Sequence, residues 1–178
     1  YEGDTIIYDG GRATKAEIAA DNNQAVITYF MSYRLTKSQE EAVQSEVTRA
    51  LSTLALTGKT EQQKVAAIYD YICDNVDYDY DMGATLGELT YTSYSAAVNK
   101  KAVCQGYAVL FYRMCVEAGL DARVVTGTGN GGPHAWNIVR IGEEYYNVDC
   151  TWDGQDKESY RNFYLKCEDD FEDHVREE

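Results

Sequence analysis

Residues 104–118, CQGYAVLFYRMCVEA, are apolar almost all the way round, and a helix of that kind must be enclosed on most sides by other elements. Its polar interruptions are Gln105 near the start, and Arg113 and Glu117, four apart on one face. Gly119 follows, the residue type suited to the left-handed turn past a helix end. The polar run Val98-Asn99-Lys100-Lys101 precedes it, which places Cys104 in the first helical turn. Backbone N–H groups there lack intrahelical partners and the helix dipole is positive. A thiol so placed ionises more easily, and the thiolate is the reactive form. Taken alone, the segment favours a packed core thiol, so a nucleophile needs support from elsewhere in the chain.

The 178 residues suffice for one domain, 1–178, with a substantial core. With 44% apolar residues, one Pro and no low-complexity tract, the chain reads as globular. Its net charge of −14 argues against nucleic acid and anionic membrane as partners, since both require a cationic footprint. No apolar run approaches the roughly 18 residues of a membrane span, so no membrane insertion is expected. The 16 Tyr suit semi-exposed clefts and an ordinary core rim alike. The chain opens on Tyr1 without a Met, and we expect it to be an excised or processed piece of a longer multidomain chain, which leaves export open. Among the five cysteines, Cys73, Cys104, Cys115, Cys150 and Cys167, none are spaced as zinc-binding pairs. The odd count leaves at least one without a partner, for which Cys104 is the candidate; the other four read as packed thiols. No metal or cofactor is expected.

In chain order, a short helix is expected over 14–20, a strand over 25–33 and a helix from Ser38 to Leu54, with Val43, Val47, Leu51 and Leu54 at helical spacing. Thr60 and Gln63 form a capping-box pattern that opens a helix over 61–75. Residues 76–95 are acidic and irregular. Asp77, Asp79, Asp81 and Glu88 nearly fit a calcium loop, but Met82 stands where its Gly belongs, and a solvated acidic loop is the better reading. Strands are expected at 122–126, 134–141 and 144–151. The loop at 127–133 contains G-x-G-x-x-G, yet a strand follows it where a dinucleotide site needs a helix. It therefore reads as a permissive glycine loop beside His134. An acidic helix holding His174 is expected last.

Strand parity connects His134 with Asp149. A hairpin centred between Ile141 and Gly142 pairs residues whose numbers sum to 283, which sets His134 opposite Asp149 and Trp136 opposite Asn147. Opposed residues share a face with Cβ atoms about 4.5–5.5 Å apart. Asp149 would then accept the Nδ1–H of His134 and leave Nε2 for a nucleophile. A one-residue bulge would separate the pair. No serine sits in a G-x-S-x-G elbow. Cys104, His134 and Asp149 thus compose a candidate Cys-His-Asp triad, with the Cys104 N–H as oxyanion donor.

At these residues the chain resembles the bacterial transglutaminase-like superfamily. AVCQGYA, HAWNIVRI and YYNVDCTWD are similar to the family's Cys helix, His strand and Asp strand, in the family's order. The likeness is good over 94–153 and extends to the helix at 61–75; residues 1–58 carry no motif of it. The resemblance implies an α+β, papain-like fold, with a central Cys-bearing helix packed on an antiparallel sheet. It implies acyl transfer on peptide or protein amides through a thioester, with Cys104, His134 and Asp149 catalytic. Tyr80 is a candidate oxyanion hydroxyl, and Gln105, Trp136 and Trp152 are candidate substrate-binding residues. Cys150 departs from the family pattern, though its side chain should point away from the site. Hydrolysis is slightly preferred over cross-linking. An extracellular or cell-surface bacterial location is expected by resemblance alone. The alternatives are a non-catalytic binding or adhesion module of a larger exported protein, and a metal domain built on the scattered cysteines or the acidic loop.

Overall fold

The computed structural model describes residues 13–20, 24–31, 33–156 and 161–177, with backbone alone at 13–16 and 29–31. Two strands, β1 (Ala13–Ala20) and β2 (Ala25–Met31), pair antiparallel. The helix expected at 14–20 is therefore a strand. Its Ala-rich composition favours helix weakly, and cross-strand pairing from Ala20↔Ala25 to Ala13↔Met31 overrides that preference. Helix α1 (Lys37–Leu54) starts one residue before Ser38, because Thr36 and Gln39 form a reciprocal capping box. Helix α2 (Glu61–Asn75) begins on the expected capping box of Thr60 and Gln63.

The acidic segment is not the solvated loop the sequence suggested. Asp77–Tyr78 (β3) pairs in parallel with Lys101–Ala102 (β4), and a 3-10 helix spans Gly87–Tyr91. Asp79 is buried, and accepts hydrogen bonds from Thr90 Oγ1 at 2.7 Å and the Gly83 N–H at 3.0 Å. Lys101 Nζ lies 3.1 Å from it. The carboxylate that a calcium loop would need is thus committed to closing its own segment.

Helix α3 (Cys104–Glu117) is the enclosed helix. Its Tyr107, Leu110, Phe111, Met114 and Cys115 join Val65, Ile68, Tyr69 and Ile72 of α2 and Val43 and Val47 of α1 in the main core. The polar interruption at Arg113 is buried at 1% exposure, and its guanidinium donates to Glu40 at 2.9 Å and Ser93 at 3.3 Å. A pair so buried must be kept matched.

The remaining wall is a four-stranded antiparallel sheet of order β7-β6-β5-β8, made of β5 (Ala122–Gly129), β6 (Gly132–Ile141), β7 (Glu144–Val148) and β8 (His174–Arg176). The glycine loop is a tight hairpin that turns at Asn130-Gly131, with Asn130 at φ 51°. On one face Val139 and Val148 join the main core, and the Asn137 amide donates to the Ala108 carbonyl of α3 at 2.9 Å. On the other, Val125 and Trp136 pack with Phe171. The third expected strand stops at Val148, and Cys150–Gln155 form α4 with Asp149 as N-cap. His174 lies on β8 rather than in a helix. The architecture is α+β, with the Cys-bearing helix packed on an antiparallel sheet. No described helix is long and apolar enough to cross a membrane.

Candidate active site

Cys104 opens α3 from a half-exposed position. The residue before it, Val103, has no side chain able to cap the helix, so no protein side chain occupies the positive end of the helix from that position. Gly106 lets the turn come in close. A Cβ there would lie 2.6 Å from that of Ala102 and 3.0 Å from the Thr90 and Thr92 carbonyl oxygens.

His134 and Asp149 come together, though not in the expected register. The β6–β7 pairs run Ile141↔Glu144 to Asn137↔Val148, with Gly142 and Glu143 in the turn, so partners sum to 285. A shift of two keeps parity. His134 and Asp149 stay on one face as diagonal neighbours, as do Trp136 and Asn147, whose side chains bond at 3.1 Å. The imidazole uses the other nitrogen from the one expected. Nε2 donates to Asp149 Oδ2 at 2.8 Å, which leaves Nδ1 as the nitrogen not used by Asp149, and the Cys104 thiol is near enough to the ring to help raise its pKa.

Asp149 is buried and fully committed. Its Oδ1 accepts the Thr151 N–H at 2.8 Å, and its Oδ2 accepts both imidazoles, His134 and His174, the latter at 3.3 Å. Burial alone would raise its pKa, but the hydrogen bonds from the two histidines hold it below the usual carboxylate value. Burial pulls His134 downward, and its bond to Asp149 together with the neighbouring Cys104 outweighs that, lifting it to about 9.

His174 is the residue the sequence reading missed. It sits opposite Gly129 on a three-residue strand with no periodicity to read, although the chain holds only two histidines. Around the paired imidazoles stand Trp152, 5.0 Å from His134 and 4.2 Å from His174, and Phe171, 3.8 Å from His174 (ring centroids). Trp136 is 3% exposed and backs the site from inside. Trp152 is partly exposed and stacks on the His134 ring. Tyr80 is 73% exposed and meets Gln155 at 3.3 Å. Its neighbour Tyr78 is half-buried; burial and the nearby Cys104 both push its phenol up. The Gln105 amide nitrogen is buried without a hydrogen-bond partner among the described residues.

All five cysteines are free thiols. Cys150 points into the main core, away from the site as expected, but from a helix rather than a strand; its carbonyl accepts from Cys73 at 3.5 Å. His134, Asp149 and His174 each offer a metal-ligand atom within 4.8 Å of the others, and the bonds onto Asp149 account for that convergence. The cysteines and the acidic loop form no such group among the described residues.

The model of the transglutaminase-like superfamily matches residues 45–150. The kyphoscoliosis peptidase of Homo sapiens is 28% identical over 161 residues, 84% of this chain and 23% of that protein. The Mus musculus protein is 28% identical over 127 residues, 65% of this chain and 19% of its own length. The chain thus spans about a fifth of the length of these curated relatives. Among solved structures, a TGase aligns with a TM-score of 0.58 at 18% identity, over 85% of this chain and 48% of that one. A candidate cysteine protease from Cytophaga hutchinsonii aligns at 0.53 and 15% identity, over 91% and 65%. At such identities the structural likeness is one of fold.

Proposed function

The chain belongs to the transglutaminase-like superfamily, and on that premise we propose that it performs thiol-dependent acyl transfer on peptide or protein amides, with water as the usual acceptor. The observation that carries the reading is the convergence of a thiol at a helix start with the His134 ring, whose pKa it helps to raise, and of that ring with a buried aspartate bonded to it at 2.8 Å.

In this scheme Cys104 gives its proton to His134 Nδ1, and the thiolate attacks the amide carbonyl. The Cys104 N–H, at the uncapped helix start, donates to the developing oxyanion. The S–C bond forms, the C–N bond breaks, and His134 passes the proton to the leaving amine. Water, deprotonated by His134, then attacks the thioester, and the acid leaves as Cys104 regains a proton. A primary amine in place of water would give cross-linking. Asp149 stays ionised throughout and supports the imidazolium.

The test joins thiol reactivity to turnover. With iodoacetamide at pH 6, peptide mapping should find Cys104 alkylated at least tenfold faster than the exposed Cys167, and His134→Ala should abolish that advantage. An unfolded protein substrate should yield new amino termini with the wild type and none with Cys104→Ala. Incorporation of a fluorescent primary amine instead would assign the acyl group to amines. Equal thiol reactivity with neither product would overturn the reading and leave a binding module of the same fold.

A further inference from the structure

His174 lies outside the Cys104, His134 and Asp149 series, yet its side chain is 1% exposed and its Nε2 is 3.3 Å from Asp149 Oδ2. We propose that His174 is a positioning residue of the same site, whose Nε2–H holds the Asp149 carboxylate in the orientation from which it fixes the His134 ring. The proposal deepens the thiol-enzyme reading and rests on it.

The surroundings of the ring carry the argument. Phe171 stacks on it at 3.8 Å, with Trp152 at 4.2 Å and Trp136 at 5.0 Å. Its Nδ1 is buried without a partner among the described residues. An imidazole is a poor filler for such a box, because burying a polar nitrogen unpaired is unfavourable. A bond from the other nitrogen to a buried carboxylate offsets that cost, since charge-assisted hydrogen bonds are the stronger class. The backbone fixes where the ring can go. β8 pairs Gly129 with His174 and Gly127 with Arg176, the Asn130 N–H donates to the Asp173 carbonyl at 3.0 Å, and the Glu177 N–H donates to the Thr126 carbonyl at 3.0 Å. Asp149 Oδ1 is already taken by Thr151, so His174 and His134 between them determine where Oδ2 sits.

Packing and donation predict opposite orders for two variants. In His174→Phe an aromatic ring fills the box but no N–H reaches Asp149. In His174→Gln an amide Nε2–H stands in for the imidazole Nε2–H, at the expense of ring stacking. If donation is the role, His174→Phe loses about tenfold in the pH 6 alkylation rate of Cys104 and His174→Gln stays within about threefold, while thermal stability ranks the two the other way. In either variant His134 is the sole remaining histidine, so its ring signals are unambiguous in two-dimensional 1H–15N spectra. The Nε2–H resonance of His134 bonded to Asp149 should persist in the wild type and His174→Gln and broaden or vanish in His174→Phe. An unchanged resonance in His174→Phe, or, with a reactive Cys104 in the wild type, reactivity there equal to or above that of His174→Gln, would overturn the proposal. The spectra also separate the two readings. If Cys104 is unreactive in the wild type while the His134 resonance still depends on residue 174, the acyl-transfer reading falls and the positioning role stands.

Discussion

A methyl group at residue 129 would land 2.9 Å from His134 Cδ2 and 2.9 Å from Trp152 Cζ2. Neither ring can yield, because Trp152 is stacked on His134 and packed against His174, and His134 is bonded to Asp149. Gly129→Ala should therefore cost about 1–3 kcal/mol in urea unfolding, as overpacking does. It should also cut the pH 6 alkylation of Cys104 at least tenfold. The sequence showed this glycine, but as one of several in a permissive loop. What it could not show was that rings from residues 134 and 152 converge on that one Cα. The chemistry-bearing residue types were legible: a Cys at a helix start, and a His and an Asp of matching strand parity. The choice of ring nitrogen was not, since it depends on where Asp149 sits after the strand ends, and Asp149 is a helix cap rather than a ladder residue.

The elements that announced themselves were those with local signals. Helical spacing marked α1, a capping box and helical spacing marked α2, and apolar continuity marked α3. Those missed depend on partners outside their own segment: β1 on the adjacent β2, and, at long range, β8 on β5 and α4 on α2. The last contact is specific. The Tyr69 hydroxyl of α2 lies 3.0 Å from the Asp149 carbonyl and donates to the Asp153 carboxylate of α4. That carboxylate also accepts the Asn162 and Phe163 N–H groups, each at 3.0 Å. Burial pushes Asp153 up, against the pull of these bonds. Tyr69→Phe leaves the buried carboxylate one donor short and should destabilise the protein by about 1–3 kcal/mol in urea unfolding. Because α4 begins at the residue after Asp149, the same variant should slow Cys104 alkylation.

For the molecule as a whole, the site leaves a mark on stability against pH. His134 is raised to about 9, so its contribution is complete below the ordinary histidine value of about 6.5 and is lost as the pH climbs through 9. The difference corresponds to about 3 kcal/mol. Asp149 is lowered, so its contribution is present above about pH 4 and is lost as the pH falls through its folded value. Urea unfolding should show greatest stability between about pH 4.5 and 6.5, with a decline toward pH 9 that is shallower in Asp149→Asn. The general architecture was legible through the resemblance of the Cys, His and Asp motifs to the superfamily, with which a helix that must be surrounded agrees. The C-terminal segment was not, because its order comes from edge pairing and from Asp153.

That segment changes what counts as a complete unit. The stretch shared with the superfamily ends at residue 150, whereas Trp152, Phe163, Phe171 and His174 all follow it. A polypeptide trimmed to the shared borders would retain the sulfur, the imidazole and the carboxylate and forfeit the aromatic housing that keeps the last two in register. Grafts and minimised versions of this fold therefore have to be cut after β8, however much earlier the recognisable motifs run out.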